Sequence, residues 1–206
     1  MKGTKPAKLL RAAVVALVLS AVFAGSAGAS PVWKFNGTEL SGTEKIVGAA
    51  VSSSLTIPGM TTTCGHFLYT VKISNSAGTG KGEVTELPLF ECGTNTVCTV
   101  ETITAEKFPW PAHLTTVASK NYLVIEGVRV SIKYGGKGCS VGGLTVPITG
   151  TAGGLLDNTT ESATFSPTTF SATGTALKFG SNTVEWNGLF PTEAFEWHRE
   201  QALSVS

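Results

Sequence analysis

Hydrophobic and polar positions alternate with a period of two in several stretches of the chain. In HFLYTVKIS, Phe67, Tyr69, Val71 and Ile73 fall on one side, and His66, Thr70 and Lys72 on the other. This is the pattern of a strand with one face in a core. GVRVSIKY repeats it, with Val128, Val130, Ile132 and Tyr134 inward and Arg129, Ser131 and Lys133 outward. GLTVPIT carries it through Leu144, Val146 and Ile148; Pro147 lacks an N–H, which confines it to an edge strand or a bulge. TALKFGSNTVEW reads as a hairpin, Leu177 and Phe179 facing Val184 and Trp186 across Gly180 to Asn182. Short strands with turn residues between them predict an all-β fold, an antiparallel β-sandwich or a partly closed barrel.

Two segments read as helical. One is the apolar run near the N-terminus. The other is TEAFEWHREQAL after Pro191, where Phe195, His198 and Leu203 share a face and Thr192 stands as cap, so a short C-terminal helix is expected. The Ser/Thr-rich NTTESATFSPTTFSATGTA resembles a mucin-like linker in composition. Phe165 and Phe170 have no place in a solvated linker, and the segment is expected to form strands with a bend at Pro167. A subdivision near residues 135–143, GGKGCSVGG, separates a cysteine-bearing part from a cysteine-free one.

Composition supports the β reading. Thr and Val, branched at Cβ, suit pleated strands better than helices. Residues 1–29 hold Lys2, Lys5, Lys8 and Arg11, then the run AAVVALVLSAVFAG, then the small residues Ala27-Gly-Ala29. That order is expected of a signal peptide cleaved after Ala29, leaving residues 30–206 as a secreted β domain with no membrane segment. Four of the 15 basic residues and none of the 14 acidic ones lie in the leader, so 11 basic residues face 14 acidic ones in the rest. No basic face interleaved with aromatics is present, which excludes a nucleic-acid binder.

The compartment decides how the cysteines read. Cys64, Cys92, Cys98 and Cys139 are an even set in an exported chain, where a disulfide framework is the rule. The five residues between Cys92 and Cys98 exceed the Cys-x2-4-Cys spacing of zinc sites, and CGTNTVC lacks the helix of a thioredoxin-like Cys-x-x-Cys. Three connectivities are open, including Cys92 to Cys98 across the turn. Cys64–Cys92 with Cys98–Cys139 is preferred, because each bridge ties the two ends of a strand-turn-strand segment. On the loop-entropy model each contributes about 3–4 kcal/mol.

Cys64, Cys92 and Cys98, then FPW at Phe108 to Trp110, then Gly138-Cys139, behind a signal peptide, resemble a group of secreted Thr/Gly-rich β proteins of soil actinobacteria. The likeness covers about residues 30–140. It implies an exported, disulfide-bonded scaffold and no activity, since none is assigned to that group.

Chemistry-bearing residues are few. Gly138-Cys-Ser-Val-Gly142 fits Gly-x-Ser-x-Gly, and Asp157 and His198 follow in hydrolase order. Ser140 runs into another expected strand where the nucleophile elbow needs a helix, so a Gly-rich turn is expected. Gly78-Thr-Gly-Lys-Gly82 lacks the Ser/Thr and helix of a phosphate loop and reads as a hairpin loop. His66, His113 and His198 have no metal-ligand spacing, and neither a metal nor a cofactor is expected. Asn36 and Asn158 begin glycosylation patterns. Trp110, held between Pro109 and Pro111 in KFPWPAH, reads either as a platform for stacking on a sugar or as a core ring, the core being favoured; Trp33, Trp186 and Trp197 lie near the chain ends. The expected function is that of a non-catalytic secreted β-scaffold whose role the sequence does not name, either binding a polysaccharide or cell-envelope component or serving as a structural element. The alternative is a small secreted hydrolase using two of Glu83, Glu86, Glu91, Glu101, Glu106 and Glu126, which a shared cleft would support.

Overall fold

The structure, a computed structural model, describes residues 30–191 and 203–206. The leader and the segment expected to form a C-terminal helix therefore lie outside the described residues, apart from Leu203, which belongs to a strand. In chain order the elements are β1 (Trp33–Phe35), β2 (Thr38–Glu39), β3 (Thr43–Ile57), β4 (Met60–Ser76), β5 (Thr79–Glu86), β6 (Leu89–Thr94), β7 (Thr99–Ala105), β8 (Trp110–Val117), β9 (Lys120–Gly135), β10 (Thr145–Asp157), β11 (Ser162–Phe165), α1 (Pro167–Thr173), β12 (Ala176–Phe179), β13 (Asn182–Pro191) and β14 (Leu203–Val205).

All pairings are antiparallel, and the large sheet closes on itself as a ring. β13 pairs with β3, β3 with β4, β4 with β5, β5 with β8, β8 with β9 and β9 with β10; β10 returns to β13 through both β11 and β12. Tight hairpins supply the reversals. Asn36–Gly37, Ala77–Gly78 and Ala118–Ser119 are two-residue turns with positive φ at both positions, the hand that matches the twist of the flanking strands.

The alternating residues build the interior. Phe67, Tyr69, Ile73, Val128, Val130, Ile132, Tyr134, Val146 and Ile148 are all buried. Leu144 departs from its expected place: it is exposed, at the closing end of the β9–β10 hairpin where its carbonyl accepts from Tyr134 N–H. Pro147 sits on the part of β10 that pairs with β9 alone, so its missing N–H leaves no ladder bond unmade. The segment 135–143 is the turn of this same hairpin. Phe165 stacks on Trp186 at 4.7 Å, and Phe67 meets Phe190 at 4.5 Å. Each such ring buries about 150–250 Å², about 4–6 kcal/mol of gross transfer free energy before entropy is charged.

The Ser/Thr-rich stretch is part of this core, with one correction. β11 forms as a strand, but Pro167 opens a helix where a bend into a further strand was expected. Ser166 caps α1 by accepting from Thr169 N–H, the Thr169 hydroxyl accepts in return from Ser166 N–H, Pro167 occupies the first turn, and Gly174 ends the helix at φ 67°. Pro with its preset φ and no N–H to satisfy suits a first helical turn, and the reciprocal cap outweighs the β preference of the threonines. Phe170 is buried on its inner side.

A small sheet, β14–β1–β2, covers one end of the ring. Trp33, Leu203 and Val205 enter the common core from it. Asn75 holds it by accepting from Trp33 N–H and donating to the Trp33 and Leu40 carbonyls. Val32 and Ser206 exchange both backbone hydrogen bonds, at 3.0 and 3.2 Å. Asn158 grips β14 from the ring, donating to Val205 O at 2.7 Å and accepting from Val205 N–H at 3.0 Å.

β4 and β9 are long enough to serve two partners each. β4 pairs with β6 through Thr62–Phe67 and with β5 through Thr70–Ser76; β9 pairs with β8 through Lys120–Ile125 and with β7 through Val130–Gly135. β5 and β8 pair with each other, whereas β6 and β7 each have a single partner.

Candidate functional site

Disulfides and core claim most of the residues that the sequence singled out. Cys64 is bonded to Cys92 across the β4–β6 pair, and Cys98 at the head of β7 to Cys139 in the β9–β10 turn. This is the connectivity preferred from the sequence, and two disulfides point to an oxidising compartment. Trp110 is 1% exposed, stacks on Phe108 at 4.6 Å and donates its indole N–H to Glu106 O at 2.8 Å. The core reading therefore describes it and the sugar-stacking reading does not: a ring shut inside the wall has no face for a ligand. Trp33 and Trp186 are buried too, with indole N–H groups donated to Lys81 O and Ser53 Oγ; Trp197 lies outside the described residues.

Ser140 stands in a turn between two strands, and Cys139 beside it is bonded to Cys98, so no nucleophile elbow forms. Gly78 is in the β4–β5 turn, with no helix after it. Asn158 spends its amide on β14, while Asn36 is exposed in the β1–β2 turn. No group of three or more His, Cys, Asp or Glu among the described residues stands ready for a metal. No helix among them is long and apolar enough to cross a membrane.

The six glutamates divide into two sets. Four are engaged locally. Glu86 accepts from the Thr70 hydroxyl at 2.9 Å, Glu91 meets His66 Nδ1 at 2.9 Å, Glu101 meets Lys133 at 2.8 Å and Glu106 meets Arg129 at 3.2 Å. Hydrogen bonds from Ser131, foremost, and Arg129 hold the Glu106 carboxyl below its ordinary pKa. Glu83 and Glu126 come together in one groove of about 480 Å³ on the outer wall.

That groove gathers ionisable groups from four strands. Period-2 alternation sends Lys72 on β4, Lys81 and Glu83 on β5 and His113 on β8 outward, while Ile73, Gly82 and Ala112 between them turn to the core. Register then sets the neighbours: Lys72 opposite Glu83, Ser74 opposite Lys81, Lys81 opposite His113, Glu83 opposite Pro111. Glu126 follows Ile125, the partner of Ala112, and its carboxylate lies 3.5 Å from His113 Nδ1. Glu83 and Glu126 thus flank Pro111 from either side, about two strand spacings or 10 Å apart at the backbone. Two carboxylates, two ammonium groups and an imidazole form a shallow, mixed-charge surface with no Phe, Tyr or Trp among its lining residues.

The interior leaves a second space of about 70 Å³ among Tyr69, Trp110, Phe165, Phe190 and Leu203. Ligand pockets run to about 300–1,000 Å³, so this is a void in the packing. Comparison with protein families, characterised proteins and solved structures gives no match. The chemistry has to be read from the groove itself.

Lys72 was legible as an outward residue, but its grouping with Lys81, His113 and Glu126 was not. Each lies on a different strand, and only the pairing order brings them together.

Proposed function

We propose that the chain is an exported, non-catalytic β-scaffold protein that binds a polysaccharide or other cell-envelope component through the outer groove of Lys72, Lys81, Glu83, His113 and Glu126. The likeness to secreted Thr/Gly-rich proteins of soil actinobacteria belongs to the same proposal. The observation that carries it is the division of labour in the wall. Inward residues fill the ring with the protein's own side chains, two staples fix it, and a cluster of charged and polar groups is left on an exposed outer face. Such a face offers hydrogen bonds and charge to a hydroxyl-rich or zwitterionic polymer without enclosing a reacting bond.

The experiment is retention of the oxidised protein on chitin, cellulose and cell-wall preparations, for the wild type and for Lys72→Ala with Lys81→Ala. Retention of the wild type that the double variant loses supports the reading; no retention of the wild type on any of them overturns it. Export is tested by the mass of protein in culture supernatant, which should correspond to a chain beginning at Ser30. A product found only with its leader intact in the membrane fraction overturns that part.

One observation favours the hydrolase reading, namely that Glu83 and Glu126 share the groove. A general acid holds its proton in an apolar pocket, and both residues are exposed on a sheet face, Glu83 opposite Lys72 and Glu126 beside the His113 imidazole, so binding is preferred. Release of reducing ends from a polysaccharide that both Glu83→Gln and Glu126→Gln abolish would reverse that preference.

A further inference from the structure

We infer that the seam between β6 and β7 is a strand-addition site that takes an extended peptide from another chain. The inference is independent of the polar groove. β6 and β7 flank a place where the ring wall parts, because β4 and β9 each switch partners there and only the β5–β8 side of the bridge is paired.

The backbone groups at the seam can be assigned from register. Glu106 N–H donates to Arg129 O, one step beyond the Ala105–Val130 pair. Hydrogen-bonded and non-bonded pairs alternate along an antiparallel ladder. Thr104 therefore bonds to β9, while Ile103 and Ala105 turn their N–H and C=O groups away from it. On the other rim Leu68 N–H donates to Pro88 O, so Leu89, opposite Phe67, turns its N–H and C=O away from β4. No backbone hydrogen bond joins β7 to β6 or to the segment 85–88 among the described residues. Two rims of donors and acceptors, unspent among the described residues, thus border the seam.

A groove of about 330 Å³ continues the seam where the segment 85–88 leads into β6, lined on that side by Glu86, Leu87 and Pro88 and on the other by Ile103, Ala105 and Phe108, with neighbouring threonines. Unspent backbone donors and acceptors select another extended backbone, and the apolar lining selects one with an apolar side chain at alternate positions. Proteins blunt edges they do not use with bulges and proline. Here Pro88, the Glu91 position at φ 53° and the register shift at Glu101 blunt the ends of the seam, leaving Leu89, Ile103 and Ala105 clear between them.

The test is amide hydrogen exchange of the oxidised protein with pools of capped hexapeptides carrying Val, Ile or Leu at alternate positions, each pool paired with a version N-methylated at every second residue. N-methylation removes backbone donors and keeps the side chains. At saturating peptide, exchange at Ile103 and Ala105 should slow by about tenfold or more, Thr104 should be unchanged, and the methylated pools should give no protection. Ala105→Pro deletes one seam-facing donor without touching the ladder to β9, and should retain the fold while weakening binding by about tenfold. If that variant fails to fold, the methylated comparison on the wild type decides. No protection from any pool overturns the inference, and so does equal protection by the methylated pools, which would mean side-chain docking.

Discussion

Thr62 and Tyr134, 72 positions apart, share a 2.7 Å hydrogen bond between their hydroxyl groups inside the ring. Burial raises the pKa of the phenol above its ordinary value, with the bond to Thr62 opposing the rise. The native protein therefore keeps this proton where the unfolded chain begins to lose it, near pH 10. The contribution is complete below about pH 10 and is lost as the pH climbs through the folded value. Urea midpoints measured from neutral to strongly alkaline pH should fall along this limb, and the limb should be shallower in Tyr134→Phe. At neutral pH the same variant strands the buried Thr62 hydroxyl and should cost about 1–3 kcal/mol.

Trp110→Ala removes a ring that touches Phe108 and lies against the centre of the core. A loss of about 3–5 kcal/mol is expected in chemical denaturation. Trp110→Phe should recover part of it, since it restores aromatic volume but not the indole donor to Glu106 O. A Trp110→Ala variant as stable as wild type would contradict the burial.

The two staples close segments of 28 and 41 residues. On the loop-entropy model, replacing either pair with Ala should cost about 3–4 kcal/mol. A non-reduced peptide map should show 64 linked to 92 and 98 linked to 139, with no free thiol.

Asn158→Ala removes two hydrogen bonds that tie β14 to the ring. At about 0.5–1.5 kcal/mol per bond, the expected cost is about 1–3 kcal/mol. Exchange should rise selectively at residues 203–206, and the amides of β9 should stay protected.

The strands were legible because burial on one face forces period-2 alternation, as at Phe67 to Ile73 and Val128 to Tyr134. The Leu177–Val184 hairpin was legible because its partners are near in sequence. Disulfide pairing followed from loop closure. α1 was missed because Thr and Phe argue for strand, although Ser166, Pro167 and Gly174 spelled out a cap, a first turn and a stop. Ring closure was out of reach, since nothing local says that Trp186 will lie beside Leu55. The groove shares that limit. Lys81, His113 and Glu126 are each ordinary outward residues, and their proximity exists only once β5, β8 and β9 are set side by side.

The paired backbones of Val32 and Ser206 mean that the order in which the strands are synthesised is separable from the order in which they pack. A peptide joining these neighbours would span a short gap, and the chain could instead be opened at Ala118–Ser119, an exposed hairpin tip. In such a circular permutant β13 and β3 become nearer along the chain, and the long-range closure of the ring moves to β8 and β9, which a two-residue turn joins in the natural order. Contact order rises, because β9 is cut from both β7 and β8, and the permuted protein should refold more slowly than the natural one while reaching the same set of strand pairs.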